Sequence, residues 1–314
     1  ERSEGEEEMP QRNISAAEKA WLFAGVAADV RDDGRARLDY RELVVETGLL
    51  QQTNGSAVVR LGGTRVLVGV KVEVGQVTAA APDCGRLECA VDWCGSCRAA
   101  SASMHNATTR IEQQERSATL SKRLENALLP ATAASKSSGG LDLSQLIIVE
   151  DRECWVVYVD VLVLGNDGNL FDVMTMAARA ALFNTRIPAI ELVEGEEGDL
   201  EIALSDDPMA CKRLAVDNVP ICVSLTKIGP HYVIDPTYEE ELCMSMQAIV
   251  SVDKKGHFCG ITKSGRGNLH SSALLSMFES AKRIGLQLME RLDQVLAEEE
   301  KLGVAESRAG SLFL

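Results

Sequence analysis

Cys94 and Cys97, in the string AVDWCGSC, are the side chains of this chain most obviously spaced for chemistry. A Cys-x-x-Cys pair exchanges disulfides when its first thiol sits at a helix N-terminus, where the dipole favours the thiolate. Cys84 and Cys89 lie just upstream, and four thiolates brought together would make a zinc cage. The surroundings fit neither chemistry well. The residues after Cys97, RAASASMHNATT, are small and polar without an apolar period, so no helix is expected there for a turn or more. The gaps of four, four and two residues are not those of a zinc ribbon, and Cys89 falls in a strand-like run. A surface loop with incidental thiols is the favoured reading, with zinc or redox chemistry as alternatives.

Other groups offer less. His105, His231, His257 and His270 are scattered, without the spacing of metal ligands. Gly62-Gly63 and Asp167-Gly168 read as turns, and no G-x-x-x-x-G-K-[ST] phosphate loop exists. Glu239, Glu240 and Glu241 follow a strand that ends at Asp235. Clustered carboxylates can hold magnesium or move protons, although runs of Glu are usually solvated. Arg116, Lys122 and Arg123 could form a basic face on a helix, either solvated or close to nucleic acid.

The elements that must hold these groups are legible from periodicity. Ser15-Ala16-Ala17-Glu18 is a capping box, and Ala20, Phe23, Ala27 and Val30 recur at helical spacing, which predicts a helix over about 16–30. SAVVRL, Gly62-Gly63 and TRVLVGVKVEV predict a hairpin. RLECAV reads as a strand, 109–129 as a helix, and PATAASKSSGG as a linker. CWVVYVDVLVLG is a long buried strand, followed by a tight turn at 166–169 and a helix that stops before Pro188. EGEEGDLEIALSDDP reads as an acidic excursion, ICVSLTKIG-PHYVIDP as a second strand–turn–strand unit, and the stretch from about 270 as a long helix. Residues 1–13 are expected to be a flexible acidic tail, and 14–314 an α+β domain with similar halves at roughly 14–140 and 141–314. The net charge of -15 argues against a freestanding nucleic-acid binder, but not against a local basic patch. No apolar run is long enough for a bilayer, and the start has no signal-peptide core. Nine cysteines then point to a reducing compartment.

Several strings together resemble the ribonuclease PH family. They are DVRDDGR, DYRELVVETG, TNGSAVVRLGGTRVLVGVKVEVG, CWVVYVDVLVLGNDGNLFDV, AALFNTRIP, LSDDP, NVPICVSLTKIG and VIDPTYEEE, running from about 29 to 241. Within the family the chain is most similar to subunits of the RNA exosome ring. The stretch holding Cys94 and Cys97 matches poorly. The resemblance implies a fold of two similar βαβα halves in one compact domain, in a six-membered ring around an RNA channel. Partners implied are related ring subunits, a cap subunit with S1 or KH modules, and RNA. It also implies residence in nucleus, nucleolus and cytoplasm, and no cofactor.

Active members cleave RNA from its 3′ end with inorganic phosphate, using a Gly-Gly-Thr-Arg cradle and a pair of aspartates. At the cradle positions this chain has Gly168-Asn169-Leu170-Phe171, and at the aspartate positions Glu241 and Gln247. A further phosphate arginine falls near Glu112. Phe171 cannot hold an anion and Gln247 carries no charge, so a catalytically silent member is expected. The alternative is an active phosphate-dependent exoribonuclease. The basic face of Arg116, Lys122 and Arg123 is the expected approach to RNA.

Overall fold

The computed structural model describes residues 14–78, 82–95, 107–129, 140–149, 151–194, 200–204, 210–268, 271–302 and 310–312. The fold is α+β, two sheets with a buried helix between them. Helix α1 (Ala16–Ala27) opens on the expected capping box, Ser15 with Glu18. It ends earlier than the periodicity suggests, because Asp29 turns left-handed at φ 59° and the chain folds back.

Strands β1 (Leu43–Thr47), β2 (Gly55–Leu61), β3 (Thr64–Gln76), β4 (Arg86–Trp93), β5 (Ile147–Val149) and β6 (Glu153–Gly165) build the first sheet, with β15 (Gly310–Leu312) at one edge. The order is β15-β1-β2-β3-β6-β4, with β5 beside β6. β2 and β3 form the expected hairpin, closing at Leu61 and Thr64. β4 runs parallel to β6, so the chain must cross over between them, and helix α2 (Ala107–Leu128) is that crossover. A division near residue 140 therefore does not hold for the architecture. β5 and β6 lie beyond it but belong to the sheet that begins at β1.

Helix α3 (Leu170–Asn184) links the two sheets. Its sequence, LFDVMTMAARAALFN, is rich in strong helix formers. Every residue from Asp172 to Leu182 is buried, as a helix sandwiched between two layers requires. The second sheet has the order β12-β11-β13-β14, from β11 (Ile221–Ile228), β12 (His231–Ile234), β13 (Met246–Val252) and β14 (Phe258–Ser264). Helix α4 (Tyr238–Leu242) lies between β12 and β13, and the long helix α5 (Ser271–Leu302) packs on β11 and β13.

Three strand pairs escaped the sequence reading. β13 and β14 form a hairpin whose signal, Met246, Ala248, Val250 and Val252 in alternation, was plain. The acidic excursion includes strand: β8 (Ile190–Glu194) pairs with β9 (Leu200–Leu204), and the short β7 (Arg186–Pro188) pairs with β10 (Cys211–Arg213). Acid-rich composition masked the alternation in LEIAL. Residues 1–13, the linker at 130–139, Cys97 with the stretch after it, His105 and His270 lie outside the described residues.

Candidate functional site

The described cysteines do not make a reactive centre. Cys89 sits mid-strand on β4, half-buried, and burial followed by the Glu125 carboxylate pushes its thiol up to about 12. A thiol held that far from ionisation is a poor nucleophile and a poor metal ligand at neutral pH. Cys94 follows the last residue of β4 and its Sγ donates to Leu164 O at 3.5 Å.

The polar groups that do converge lie at the N-terminus of α3, where three chain segments meet. They are the 29–41 loop, the β6–α3 turn and the β12–α4 segment. Their centre is Asp235, fully buried and left-handed at φ 49°. Its carboxylate accepts from the backbone N, Nε and Nη2 of Arg41, from Arg35 Nη1 at 2.9 Å, and from Asn169 Nδ2 at 2.9 Å. Burial would raise its pKa. The Arg41 hydrogen bonds and the charges of Arg41 and Arg35 outweigh that and hold it below the usual carboxylate range. Beside it, Arg31 is buried, reaches the Glu240 carboxylate through Nε and Nη2, and donates to Ile234 O and Asp235 O at 3.0 and 2.7 Å.

The run Glu239-Glu240-Glu241 is therefore not a solvated face. Only Glu239 is exposed. Glu240 completes a capping box with Thr237 at the start of α4 and pairs with Arg31. Glu241 turns to α3, where its Oε1 accepts from Asn169 N–H at 2.8 Å. Burial pushes its pKa up to about 7, against the lowering effect of the Asn169 N–H and of Arg41. Asn169 caps α3 in the left-handed region, φ 54°, and Gly168 before it has φ 83°. A Cβ at Gly168 would lie 2.5 Å from Pro236 O, so only glycine lets the turn and the β12–α4 segment approach so closely.

The structure brings Glu241 and Gln247 together, since a Gln247 hydrogen bond is among the forces on the Glu241 carboxylate. Gln247 Nε2 also reaches Thr226 Oγ1 at 3.4 Å. Phe171, in the first turn of α3, lies under the Arg123 guanidinium, 5.0 Å from carbon to ring centroid. The three residues of the expected basic face do not share one side of α2. Arg116 and Arg123 are seven residues apart and share a side of α2, whereas Lys122 is turned about 100° away. Lys122 is exposed and paired with Glu125 Oε1 at 3.0 Å. The two described histidines have partners of their own: His231 Nδ1 lies 2.7 Å from Arg37 Nη1, and His257 Nδ1 lies 3.1 Å from Asp253 Oδ2.

A further buried carboxylate sits in the first turn of α3. Asp172 accepts from Tyr40 OH at 3.1 Å, and from the backbone N and Oγ of Ser224 at 2.8 and 2.7 Å. Burial raises it to about 7 despite these donors. Asp172, Asp235, Arg31 and Arg41 were not singled out from sequence as site residues. Arg41 and Asp235 are 194 residues apart, so only the fold shows that they pair.

This geometry defines a class: an α+β fold of two main sheets with a cluster of buried carboxylates and ion pairs at the N-terminus of its central helix. The 3′ exoribonuclease family models match accordingly, domain 1 over residues 39–188 and domain 2 over 218–284. The chain belongs to this ribonuclease PH family and has its fold. A Dictyostelium discoideum protein named putative exosome complex exonuclease RRP42 is 34% identical, covering 91% of this chain and 99% of its own length. The Thermococcus gammatolerans exosome complex component Rrp42 is 33% identical over 85% of this chain and 89% of its own. A solved Archaeoglobus fulgidus exosome with RNA bound to the active site contains a similar chain. It is 26% identical with TM-score 0.68, covering 87% of this chain and 96% of that one.

Proposed function

We propose that this chain is a non-catalytic subunit of an RNA exosome ring that supports 3′-to-5′ RNA processing and degradation. The likeness to exosome components along nearly the whole chain supports the ring assignment. One observation carries the silent reading. The Asn169 amide that opens the central helix is taken by the chain's own Glu241 carboxylate. An attacking phosphate needs such amides free and a guanidinium beside them. Here Phe171 stands at the cradle position, and neutral Gln247 replaces an acid. Losing one oriented charge commonly costs on the order of a hundredfold or more in turnover, so the combined loss leaves none. The partners are related ring subunits, a cap subunit with S1 or KH modules, and RNA threading the ring. The setting is nucleus, nucleolus and cytoplasm.

A second reading, an active phosphorolytic exoribonuclease, draws on Glu241 itself. A carboxyl group near pH 7 is suited to proton transfer. The decisive measurement is phosphate-dependent release of nucleoside diphosphates from RNA by the purified chain. None is expected, and release that disappears in Glu241→Gln would make the protein an enzyme. Native mass spectrometry of the tagged protein from its own cells tests the ring, with related subunits expected to co-purify.

A further inference from the structure

A patch of positive charge lies at one end of the second sheet, in a chain of net charge -15. Lys227, near the end of β11, pairs across the sheet with Met246, one step beyond the Gln247–Ser264 pair that ends β14. Its ammonium donates to Asn268 O at 2.8 Å, and that of Lys263 to Gly265 O at 3.3 Å, so both lysines gather on the turn at 265–268. The same turn carries the exposed Arg266, and Gly267 N–H ties it to Ser245 O at 2.8 Å. Neither lysine forms an ion pair with a carboxylate among the described residues, whereas Lys71, Lys122 and Lys254 each do. An ammonium has three donors, so each keeps N–H groups for a further acceptor. Helix α1 lies against this end of the sheet, because its Val26 packs with Ile228 and Val233. Towards its start α1 brings a further cation. Burial raises the Cys243 thiol, and Lys19 is the first charge that opposes the rise, which sets Lys19 beside the end of α4, two residues before Ser245.

We infer that the acidic N-terminal segment of the chain, through Glu4, Glu6, Glu7 and Glu8, docks on the patch formed by Lys19, Lys227, Lys263 and Arg266. Residues 1–13, ERSEGEEEMPQRN, carry the complementary charge and lead directly into α1, whose N-cap is Ser15. Seven residues separate Glu8 from Ser15, a reach of up to about 23 Å when extended. That exceeds the two interstrand spacings, about 10 Å, between β11 and β14. Exposed ion pairs are individually weak, and a tether offsets this by holding the acids at an effective concentration on the order of millimolar. Docked there, the segment is a built-in polyanion that keeps other acidic ligands off the patch. The inference does not depend on the ring reading.

The full chain is treated with a water-soluble carbodiimide, which joins carboxylates to amines in contact, and the cross-links are mapped by mass spectrometry. A mixture of isotope-labelled and unlabelled chains separates links within a chain from links between chains. Links from Glu4, Glu6, Glu7 or Glu8 to Lys227 and Lys263 of the same chain are expected. Their yield should fall about tenfold as the screening length shrinks from about 30 Å at 0.01 M salt to about 3 Å at 1 M. Replacing Glu4, Glu6, Glu7 and Glu8 together by Gln leaves the folded domain untouched, and it should raise the rate at which Lys227 and Lys263 are acetylated severalfold. Links from the segment only to other lysines, links only between chains, yields indifferent to salt, or acetylation rates unchanged by the four substitutions would each overturn the proposal. Loss of the links on adding one equivalent of oligouridine would assign the patch to RNA and overturn it as well.

Discussion

The site has a deep end and a mouth, and they handle charge differently. At the deep end Asp235 sits among Arg41, Arg35 and Asn169, and Arg31 with Glu240 forms a second closed pair. At the mouth Glu241 meets one amide and a neutral glutamine, and Arg123 lies on an aromatic face, with no carboxylate paired to it among the described residues. Burial acts on both ends. Its outcome is opposite, because guanidinium hydrogen bonds and charges outweigh burial at the deep carboxylate, whereas the Asn169 N–H and the charge of Arg41 do not outweigh it at the outer one. The closed end ties three distant segments together, while the mouth keeps groups that are only partly satisfied. Function in a degenerate site is expected at the mouth, where a ligand could still complete the bonding.

The largest effect that would break this contrast is at Asp235. Asp235→Asn leaves Arg41 and Arg35 facing a neutral amide in a buried site. Breaking a buried pair by removing one charge costs about 3–5 kcal/mol. Urea unfolding of the purified chain should show that loss. A cost under about 1 kcal/mol would mean that the deep end is not the tie it resembles.

Asp172 gives the next effect, through pH. Its folded pKa is raised, from 3.8 to about 7. Between those values the folded state binds the proton more tightly than the unfolded one, so stability falls as pH rises from about 4 to about 7. Asp172→Asn should flatten that fall, by about 1–3 kcal/mol between pH 5 and pH 8. The amide can keep Tyr40 and the Ser224 N–H on its oxygen, while the Ser224 hydroxyl rotates to accept. An unchanged slope across urea melts at several pH values would show that Asp172 does not titrate there.

Glu241 sharpens the contrast because the same acid-to-amide change should have the opposite sign to Asp235→Asn. Its folded pKa is raised from 4.5 to about 7, so ionising it at pH 8 works against folding. Glu241→Gln keeps an oxygen for the Asn169 N–H and removes the charge. A gain of about 1 kcal/mol at pH 8, and none at pH 5, is expected from melts at the two pH values. Destabilisation at pH 8 would show that the carboxylate is held by a cation at the mouth.

Much of this was readable in the chain, and the failures have physical reasons. The β2–β3 hairpin, β6 and α3 came directly from alternation, a glycine turn and a run of helix formers. Strings spread from about 29 to 241 pointed to the ribonuclease PH family before any coordinates. The parallel pairing of β4 with β6 was not readable, since a crossover leaves no local mark. Glu240 looked solvated because a run of three acids hides which one turns inward. The Thr237-x-x-Glu240 spacing was the available signal for its cap. Phe171 read as a pure loss because a cation–π partner on another helix is invisible in sequence.

The smallest effect is expected away from both ends, at the cysteines with which the chain first draws attention. Cys94 lies where β4 ends, half-buried, and its Sγ donates to Leu164 O at 3.5 Å. Serine is smaller and keeps a hydroxyl donor for the same carbonyl, so neither a cavity of consequence nor an orphaned acceptor results. Cys94→Ser should therefore stay within about 0.5 kcal/mol of the wild type in urea unfolding, the range of substitutions outside special features. It should also leave ring incorporation unchanged. A loss above about 2 kcal/mol is the scale on which a structural metal or disulfide is missed. That result would move the search for chemistry from the mouth of α3 back to the thiols.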